Sequence, residues 1–348
     1  MHEALRNLVS GNTLSREQSS ELFRAILSGE TDLAQIGAAL AMIQSRGVTT
    51  DELIGAAAVM REHVTPVPID ESLRPRLIDT CGTGGAPKTF NISTAAALIA
   101  AAAANADGER RLLVAKHGNR SRTGRGSAEV LKQLGINIDA TPEQQARCLE
   151  EAGICFCFAI HHHPAMRHAA GPRKALGFPT VFNLLGPLTN PAGARRQLLG
   201  VYDADRLEAV AHTLAALGTE RAMVVRGDDG LDEITTTTTT TIAHVRNGEV
   251  EIESFDPRSV GIERASLEDL QATDLEDAAA VIRSVLAGEP GPKTDIAVLN
   301  AAAALVVGGV AETLARAVEQ CVQAIASGTA SETLSALGTA SHEKRAAP

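Results

Sequence analysis

The sequence predicts an α/β protein in which a small N-terminal α-helical domain precedes a larger domain with a mainly parallel central sheet. Helical periodicity with identifiable caps fills the first 70 or so residues. After them, short apolar strands alternate with helices, a pattern typical of a parallel sheet covered by helices. The length of 348 residues exceeds one ordinary core, so we expect two domains, residues 1–72 and 73–348.

Three helices are predicted in the first domain. A capping box, in which Ser or Thr is followed three residues later by Glu or Gln, starts one helix at Ser15 and another at Thr49. The helix from Ser15 carries an apolar stripe and ends at Gly29, and a further helix starts around Thr31. The proline-containing stretch 64–75 then predicts a linker to the second domain.

The second domain is predicted from five short apolar strands and the helices between them. In chain order the strands are RLID, RLLVA, ICFCFA, QLLGVY and RAMVV. Helices are expected over 93–104, 127–135 and 204–218, and Thr141 caps one more. Beyond the fifth strand, the threonine run 235–241 predicts a strand because its residues are β-branched. GEVEIESF then predicts a hairpin strand, and the chain after it returns to alanine-rich helices.

Composition excludes several classes of protein. The net charge of −10, with no Trp and one Tyr, argues against a surface that binds nucleic acid. No apolar stretch reaches the roughly 20 residues that a membrane helix needs, and the N-terminus lacks a signal pattern. The five scattered cysteines include no C-x-x-C pair and favour buried thiols in a reducing compartment. We therefore expect a soluble cytoplasmic protein that holds any anionic ligand locally.

The turn after the first strand is rich in glycine: it reads GTGG and is followed by TFNIST and a helix. Glycines let the backbone approach an anion, and a helix start presents unpaired N–H groups with a favourable dipole. Asn91, Ser93 and Thr94 add side-chain donors, and the Ser93 oxygen also suits a hard cation. A tight turn with a capped helix explains the same residues equally well.

Two further turns follow later strands of the predicted sheet. Lys116 to Asn119 (KHGN) places cationic and polar side chains after RLLVA, which suits a phosphate or carboxylate, although a solvated loop stays open. The stretch 227–233 after RAMVV carries adjacent carboxylates beside glycines, and these are plausible Mg²⁺ ligands or simply an acidic turn. Ligands of such sheets bind beyond the carboxyl ends of the strands, where these turns lie.

The three consecutive histidines 161–163 do not predict a zinc site. Neighbouring side chains do not converge on one tetrahedral position, and no Cys or carboxylate spacing completes the set. We expect instead a loop histidine before Pro164, with His163 lining the site.

Taken together, these turns resemble one family, the anthranilate phosphoribosyltransferases. The matching motifs are GTGG with TFNIST, KHGNR with GSAEVL, HPAM, RKALG with FNLLGPLTNPA, DGLDE, and NAAAAL. They occur in the family's order and cover nearly the whole chain. FNLLGPLTNP, and KHGN together with DGLDE, are specific to the family.

The resemblance implies a fold, a reaction, a metal and an assembly. The helical domain is hinged to the α/β domain, with residues 166–190 also on the helical side and the active site in the cleft between them. The 5-phosphoribosyl group of 5-phosphoribosyl 1-pyrophosphate (PRPP) is transferred to the amine of anthranilate and pyrophosphate is released, the second step of tryptophan biosynthesis from chorismate. The resemblance also implies two Mg²⁺ per monomer, bound with the pyrophosphate, and a homodimer.

Site residues carry over from the matching motifs by position. The implied PRPP contacts are Gly82, Thr83, Gly84, Gly85, Thr89, Asn91, Ile92, Ser93, Thr94, Lys116, His117, Gly118, Asn119 and Ser127. The implied anthranilate contacts are Gly82, Asn119, His163 and Arg173, with Arg173 on the carboxylate. The implied magnesium ligands are Ser93, Asp232 and Glu233. No general acid or base is implied, because the aromatic amine is already unprotonated at neutral pH. Lys116 and Asn119 are expected to act electrostatically.

The chain departs from the family pattern in three places. Ala86-Pro87-Lys88 replaces a longer stretch that usually begins with Asp. The segment 121–126 replaces a longer, serine-rich one, and threonines fill the stretch after DGLDEI, where a Gly-Pro turn is usual. Lys88, Arg122 and Arg125 add cations that can compensate in donor binding.

Three alternative functions stay open. A pyrimidine nucleoside phosphorylase shares the architecture, but that family has an additional C-terminal domain for which this chain is too short. A nucleic-acid-binding relative should be basic, whereas this chain carries −10. A relative that binds the donor without turning it over is the third alternative.

Overall fold

The computed structural model describes residues 1–106, 109, 111–121 and 124–343. Its N-terminal region is a bundle of four helices: α1 (His2–Val9), α2 (Arg16–Ser28), α3 (Leu33–Arg46) and α4 (Thr50–Glu62). Both predicted capping boxes are present, at the starts of α2 and α4. The predicted end of α2 is also confirmed, since Gly29 adopts the left-handed conformation with φ of 82°.

A seven-stranded sheet forms the centre of the larger region. Its strands are β1 (Leu77–Gly82), β2 (Leu113–Gly118), β3 (Ile154–Phe158), β4 (Arg196–Gly200), β5 (Arg221–Gly227), β6 (Thr240–Arg246) and β7 (Glu249–Phe255). Their order across the sheet is β3-β2-β1-β4-β5-β6-β7. The first five strands are parallel, and β6 and β7 continue the sheet as an antiparallel hairpin. The predicted class, a helical domain plus an α/β domain with a mainly parallel sheet, is confirmed.

Helices cover both faces of this sheet. Those between the strands are α5 (Ile92–Ala104), α6 (Ser127–Gln133), α7 (Pro142–Ala152), α8 (Ala159–His162), α9 (Arg167–Leu176), α10 (Phe182–Leu185) and α11 (Ala204–Ala216). After β7 follow α12 (Leu275–Leu286), α13 (Pro292–Gly308), α14 (Leu314–Ala326) and α15 (Thr329–His342). Among the described residues, none of the helices combines the length and apolar character needed to cross a membrane.

Two hydrophobic clusters fill the two sides of the sheet. Leu198 and Leu199, neighbours in β4, point to opposite faces and belong to different clusters. The Leu198 side is covered by α5, α12, α13 and α14. The Leu199 side is continuous with the N-terminal bundle and with α9, α10 and α11. The ring of Phe23 in α2 packs edge-on against Phe182 in α10, with 5.5 Å between the ring centroids.

Two features differ from the sequence predictions. The threonine run is not a strand over 235–241, because β6 begins only at Thr240. The hydroxyls of Thr235 and Thr237 donate to the carboxylate of Asp229, so these residues form a side-chain-bonded loop. Helix α1 was not predicted, since it starts without a side-chain cap. All five cysteines are buried free thiols, as expected.

Candidate active site

The sheet places its ligand crevice between β1 and β4. The strand order reverses between these two parallel neighbours, and in open α/β sheets the crevice outside the carboxyl ends at that point is where ligands bind. Gly82 and Gly200 end β1 and β4 and are register partners. The turns that follow β1, β2 and β5 therefore meet at one edge of the sheet.

Asp232 lies over the two glycines at this edge. A Cβ at Gly82 would collide with the Asp232 carboxylate, and a Cβ at Gly200 with the Asp232 backbone carbonyl. The N–H of Gly84 donates to Asp232 Oδ2 at 3.1 Å. The acidic turn after β5 is thus seated directly on the crevice. Gly200 was not among the predicted site residues, because its role depends on a register that the sequence does not reveal.

Glu233 is held by the start of α5. The N–H of Ser93, in the first turn of that helix, donates to Glu233 Oε1 at 3.1 Å. Burial and the neighbouring Asp232 carboxylate raise the pKa of Glu233 to about 8, and burial also raises the pKa of Asp232. Burial thus disfavours two negative charges at this place, and a bound cation would offset that cost.

Lys116 supplies a buried cation beside these carboxylates. Its side chain is 2% exposed, and Nζ donates to the Thr80 carbonyl at 2.8 Å and to Ser93 Oγ at 3.1 Å. Burial lowers the pKa of Lys116, while the carboxylates of Asp79, Glu233 and Asp232 oppose that shift. The structure therefore brings the predicted lysine, serine and acidic pair together.

The glycine turn itself shows the conformations that an anion cradle needs. Gly84 and Gly85 have φ of 67° and 102°, in the region that favours glycine. The ring of Tyr202 lies against Gly85, close enough that a Cβ there would meet it at 2.9 Å. Thr83 is buried, and its N–H donates to the Gly200 carbonyl at 2.9 Å. Tyr202 was missed in the sequence, since a single aromatic residue after a strand carries no local signal.

Donor groups from the start of α6 meet those of α5. The hydroxyl of Thr94 donates to Ser127 Oγ at 3.4 Å, and the Asn91 side-chain amide donates to the Arg125 carbonyl at 3.1 Å. Ile92 points into the core, so that only its backbone faces this region. Arg122, which the sequence offered as an added cation, lies outside the described residues.

Two buried histidines line the β2 side of the crevice. Nε2 of His163 lies 3.1 Å from Nε2 of His117, at the end of β2. Burial lowers the pKa of His163 to about 4 and that of His117 well below its usual range. The backbone N–H of His117 donates to Oδ1 of the buried Asp79 at 3.0 Å, and burial raises the pKa of Asp79 to about 6. His162 lies in α8 and contacts Gln145 instead.

The residues predicted to contact anthranilate have fewer bonds to the crevice turns than the predicted PRPP and magnesium residues have. Arg173 lies in α9 with its guanidinium 5.2 Å from the centroid of the Phe182 ring, and burial lowers its pKa. Within the described stretches of the chain, no hydrogen bond or ion pair joins Arg173 to the crevice turns. Asn119 is exposed after β2, and its Oδ1 accepts from the Arg120 N–H at 2.8 Å. Gly118 is partly buried beside it, and Thr89 bonds locally to the Phe90 carbonyl.

The donor set at this edge fits magnesium better than a transition metal. No group of three or more His, Cys, Asp and Glu side chains converges as a metal site in residues 1–106, 109, 111–121 and 124–343. Asp232, Glu233 and the Ser93 hydroxyl offer only oxygen atoms. Mg²⁺ commonly takes one or two carboxylates and leaves its other positions to water and phosphate oxygens.

Comparison with known proteins gives a consistent result over nearly the whole chain. Residues 74–331 match the α/β domain of a glycosyl transferase family, and residues 2–64 match the helical bundle domain of that family. The chain is 46% identical to an anthranilate phosphoribosyltransferase of Thioalkalivibrio sulfidiphilus over 339 residues, 97% of each chain.

Solved structures are similar too. The anthranilate phosphoribosyltransferase from Thermus thermophilus matches with a TM-score of 0.89 and 37% identity, over 98% of this chain and 99% of that one. The enzyme of the same name from Saccharomyces cerevisiae, solved in complex with PRPP and Mg, matches with a TM-score of 0.86, over 97% of each chain. At 24% identity, the yeast enzyme demonstrates a shared fold.

Proposed function

This chain belongs to the anthranilate phosphoribosyltransferase family, and we infer that it transfers the phosphoribosyl group of PRPP to the amine of anthranilate. The observation that carries this proposal is the meeting of three turns at one sheet edge. There, the N–H groups of Gly84 and Ser93 hold Asp232 and Glu233 beside the buried ammonium of Lys116. This edge combines backbone amides, one ammonium group and a pair of carboxylates that can bind a cation. Because the chain has a net charge of −10, a pyrophosphate ester has to be bound by such local groups.

The donor is proposed to bind over the glycine turn and the start of α5. The backbone N–H of Gly85 and the ammonium of Lys116 face its anionic end, and Thr94 and Ser127 offer hydroxyls. The N–H of Gly84 serves the donor indirectly, through its bond to Asp232. Departure of pyrophosphate breaks the bond between C1 of the ribose and oxygen and leaves oxocarbenium-like character on the ribose. Stabilising the leaving group is therefore the main catalytic task of these residues.

Ser93, Asp232 and Glu233 would hold magnesium. When bound, Mg²⁺ supplies positive charge that neutralises the departing pyrophosphate. The number of ions per monomer is proposed to be two. The N–H groups of Gly84 and Ser93 donate to Asp232 and Glu233 and fix the directions of both carboxylates.

Anthranilate is proposed to bind on the Arg173 side. The planar guanidinium suits the carboxylate, and the face of the Phe182 ring fixes its orientation. His163, held neutral by burial, and Asn119 line the path towards the donor. The amine nitrogen forms the new bond to C1 as the bond from C1 to the pyrophosphate oxygen breaks, and the nitrogen then loses one proton to water. Because the amine is neutral beforehand, no strong base is required.

The direct test follows the fluorescence of anthranilate, which decays when the amine is converted. We expect decay on adding PRPP and Mg²⁺ to the purified protein, and none when either is left out. A donor-binding protein without turnover would bind PRPP but leave the fluorescence unchanged. A pyrimidine nucleoside phosphorylase would instead release a free base from a nucleoside when phosphate is added.

The metal assignment has its own test in the acidic turn. Replacing Asp232 and Glu233 together with Ala should abolish turnover or raise the magnesium needed for half-maximal rate, with the fold intact. The control is Asp228→Ala, which removes an exposed carboxylate from the same turn. Wild-type activity of the double variant at low magnesium would contradict the assignment.

We also propose the domain division and the assembly. Helical residues 1–72 and α/β residues 73–348 form the two domains, with 166–190 joining the helical side. The packing of Phe23 on Phe182 supports that segment's place. We propose a cytoplasmic location and a homodimer through the helical domain, and the exposed apolar side chains of Val9 and Leu33 support the dimer. Light scattering of the eluted protein tests the dimer.

A further inference from the structure

Asn300 is a fully buried amide in the middle of the alanine-rich helix α13. Its side chain is 0% exposed, among neighbours that are mostly alanine and leucine. A buried amide is costly unless its donors and acceptor are all bonded. Asn300 is the polar residue of the family motif NAAAAL, and the proposed function gives it no role.

The side-chain amide of Asn300 forms hydrogen bonds with the backbone of Ile234, which directly follows the acidic turn 227–233. Oδ1 accepts from the Ile234 N–H at 2.9 Å, and Nδ2 donates to the Ile234 carbonyl at 2.9 Å. A second Nδ2 bond, also 2.9 Å, goes to the Ile296 carbonyl one turn earlier in α13. Both backbone polar groups of Ile234 are therefore tied to a rigid helix.

Ile234 directly follows Glu233, so fixing its peptide groups fixes the direction in which the acidic pair points. The same helix α13 packs along α5, whose first turn provides the Ser93 N–H that holds Glu233. One element thus locates both sides of the proposed magnesium site. Asparagine is suited to this position because it offers one acceptor and two donors at this length, whereas an ionised Asp is acceptor-only.

We propose that Asn300 is a positioning residue for the reaction: it sets the backbone of Ile234 and through it aims Asp232 and Glu233 at the metal and the pyrophosphate. It touches neither substrate nor ion. The inference rests on the proposed function, since it assigns Asn300 to the metal-binding carboxylates of that site.

Two variants test the proposal. In Asn300→Ser the hydroxyl is too short to reach Ile234 but can bond to the Ile296 carbonyl, so the helix is spared. Asn300→Asp keeps size and the acceptor but loses at least one of the two donor bonds in either protonation state, since a carboxyl group carries one donor at most. The control is Leu305→Ala, which removes buried volume from the same helix but no hydrogen bond to the acidic turn. Melting temperatures identify any general loss of stability.

The first readout needs no turnover. Binding of Mn²⁺ in place of Mg²⁺, in the presence of pyrophosphate, is followed by the electron paramagnetic resonance signal of the free ion. Loss of residues that orient metal ligands commonly weakens metal binding by about 10- to 100-fold. We expect the Mn²⁺ Kd of both Asn300 variants to rise by roughly tenfold, and that of Leu305→Ala to stay within about twofold.

The second readout separates positioning from unfolding. The magnesium concentration for half-maximal rate should rise in the Asn300 variants, while the KM for anthranilate stays near the wild-type value. A folded Asn300 variant with wild-type Mn²⁺ affinity and magnesium requirement would overturn the inference, as would equal effects in Leu305→Ala. If wild-type protein shows no magnesium-dependent turnover, the proposed function itself fails, which is a distinct outcome.

Discussion

Nζ of Lys116 lies 3.1 Å from Oγ of Ser93, a bond that joins the end of β2 to the start of α5 across β1. The same ammonium donates to the Thr80 carbonyl of β1, so three neighbouring elements meet at one buried charge. Because the carboxylates of Asp232 and Glu233 are near enough to oppose the fall in its pKa, this cation is the electrostatic counterpart of the acidic pair.

Lys116→Met should reduce kcat by about 100-fold or more, the usual scale for losing one preorganised electrostatic contact to a transition state. The apolar side chain fills the space but leaves Asp79, Asp232 and Glu233 without their buried cation. Steady-state rates at saturating PRPP measure the effect, and circular dichroism checks the fold. A folded variant with kcat within about threefold of wild type would exclude Lys116 from catalysis.

Arg173→Ala should raise the KM for anthranilate by roughly 10- to 100-fold, since a charged hydrogen bond contributes about 1.5–3 kcal/mol. The KM for PRPP should change little. Arg167→Ala is the matched control, because that arginine is exposed on the same helix. Equal anthranilate KM values for both variants would place the carboxylate elsewhere.

Lys88→Ala should raise the KM for PRPP by only about two- to fivefold, because Lys88 is exposed and an exposed ion pair contributes up to about 1 kcal/mol. The effect should shrink at high salt, where such a pair is screened. Kinetics at two ionic strengths measure it, with Lys132→Ala on α6 as the control. An unchanged KM at low salt would mean that the glycine turn works by its amides alone.

Glu52→Ala should lower the free energy of unfolding by about 3–5 kcal/mol, the scale for removing one partner of a buried ion pair. Glu52 is 0% exposed; it accepts from Arg46 at 2.6 Å and from the N–H groups of Leu14 and Thr49 at 2.9 Å each. Asp51→Ala is the control, because its ion pair with Arg16 is about half exposed on both sides. Urea unfolding compares the two, and similar losses would refute the argument.

The buried histidine pair predicts a pH dependence of stability. His163 has a pKa of about 4 in the folded protein, against about 6.5 when unfolded, because burial disfavours the charged ring. As pH falls from 7 to 5, the unfolded state gains a proton that the folded state does not, which lowers the free energy of unfolding by about 2 kcal/mol. Between pH 7 and pH 5, the free energy of unfolding of His163→Gln should therefore fall by about 2 kcal/mol less than that of the wild type. Parallel urea titrations at pH 7 and 5 decide it; identical losses would contradict the assignment.

Local signals made the helical domain and the strand turns predictable. A capping box is completed within four residues, so Ser15 and Thr49 identify their helices without knowledge of the fold. The three polar turns were expected at one edge because parallel strands align their carboxyl ends, and Lys116, Ser93 and Glu233 do meet there. Helix α1 lacks any side-chain cap and therefore gave no such signal.

Non-local geometry accounts for what the sequence did not predict. The seat of Asp232 over Gly82 and Gly200 depends on strand register, and the hold of Asn300 on Ile234 joins residues 66 apart in the chain. The threonine run misled for a chemical reason: β-branched side chains favour strands, but the hydroxyl of Thr235 bonds to Asp229 instead. The roles of individual substrate contacts stay predictions.

The hydrophobic cluster on the Leu199 side of the sheet belongs to both halves of the molecule, since Phe23 and Leu40 of the bundle share it with Leu199 and Val224 of the strands. Separating the chain at the linker 64–75 would therefore divide this cluster, and each fragment would expose to water apolar surface that is buried in the intact chain. The linker that the sequence predicts therefore does not separate two independent hydrophobic cores. Because the two portions share this interior, we expect them to unfold together in a single transition.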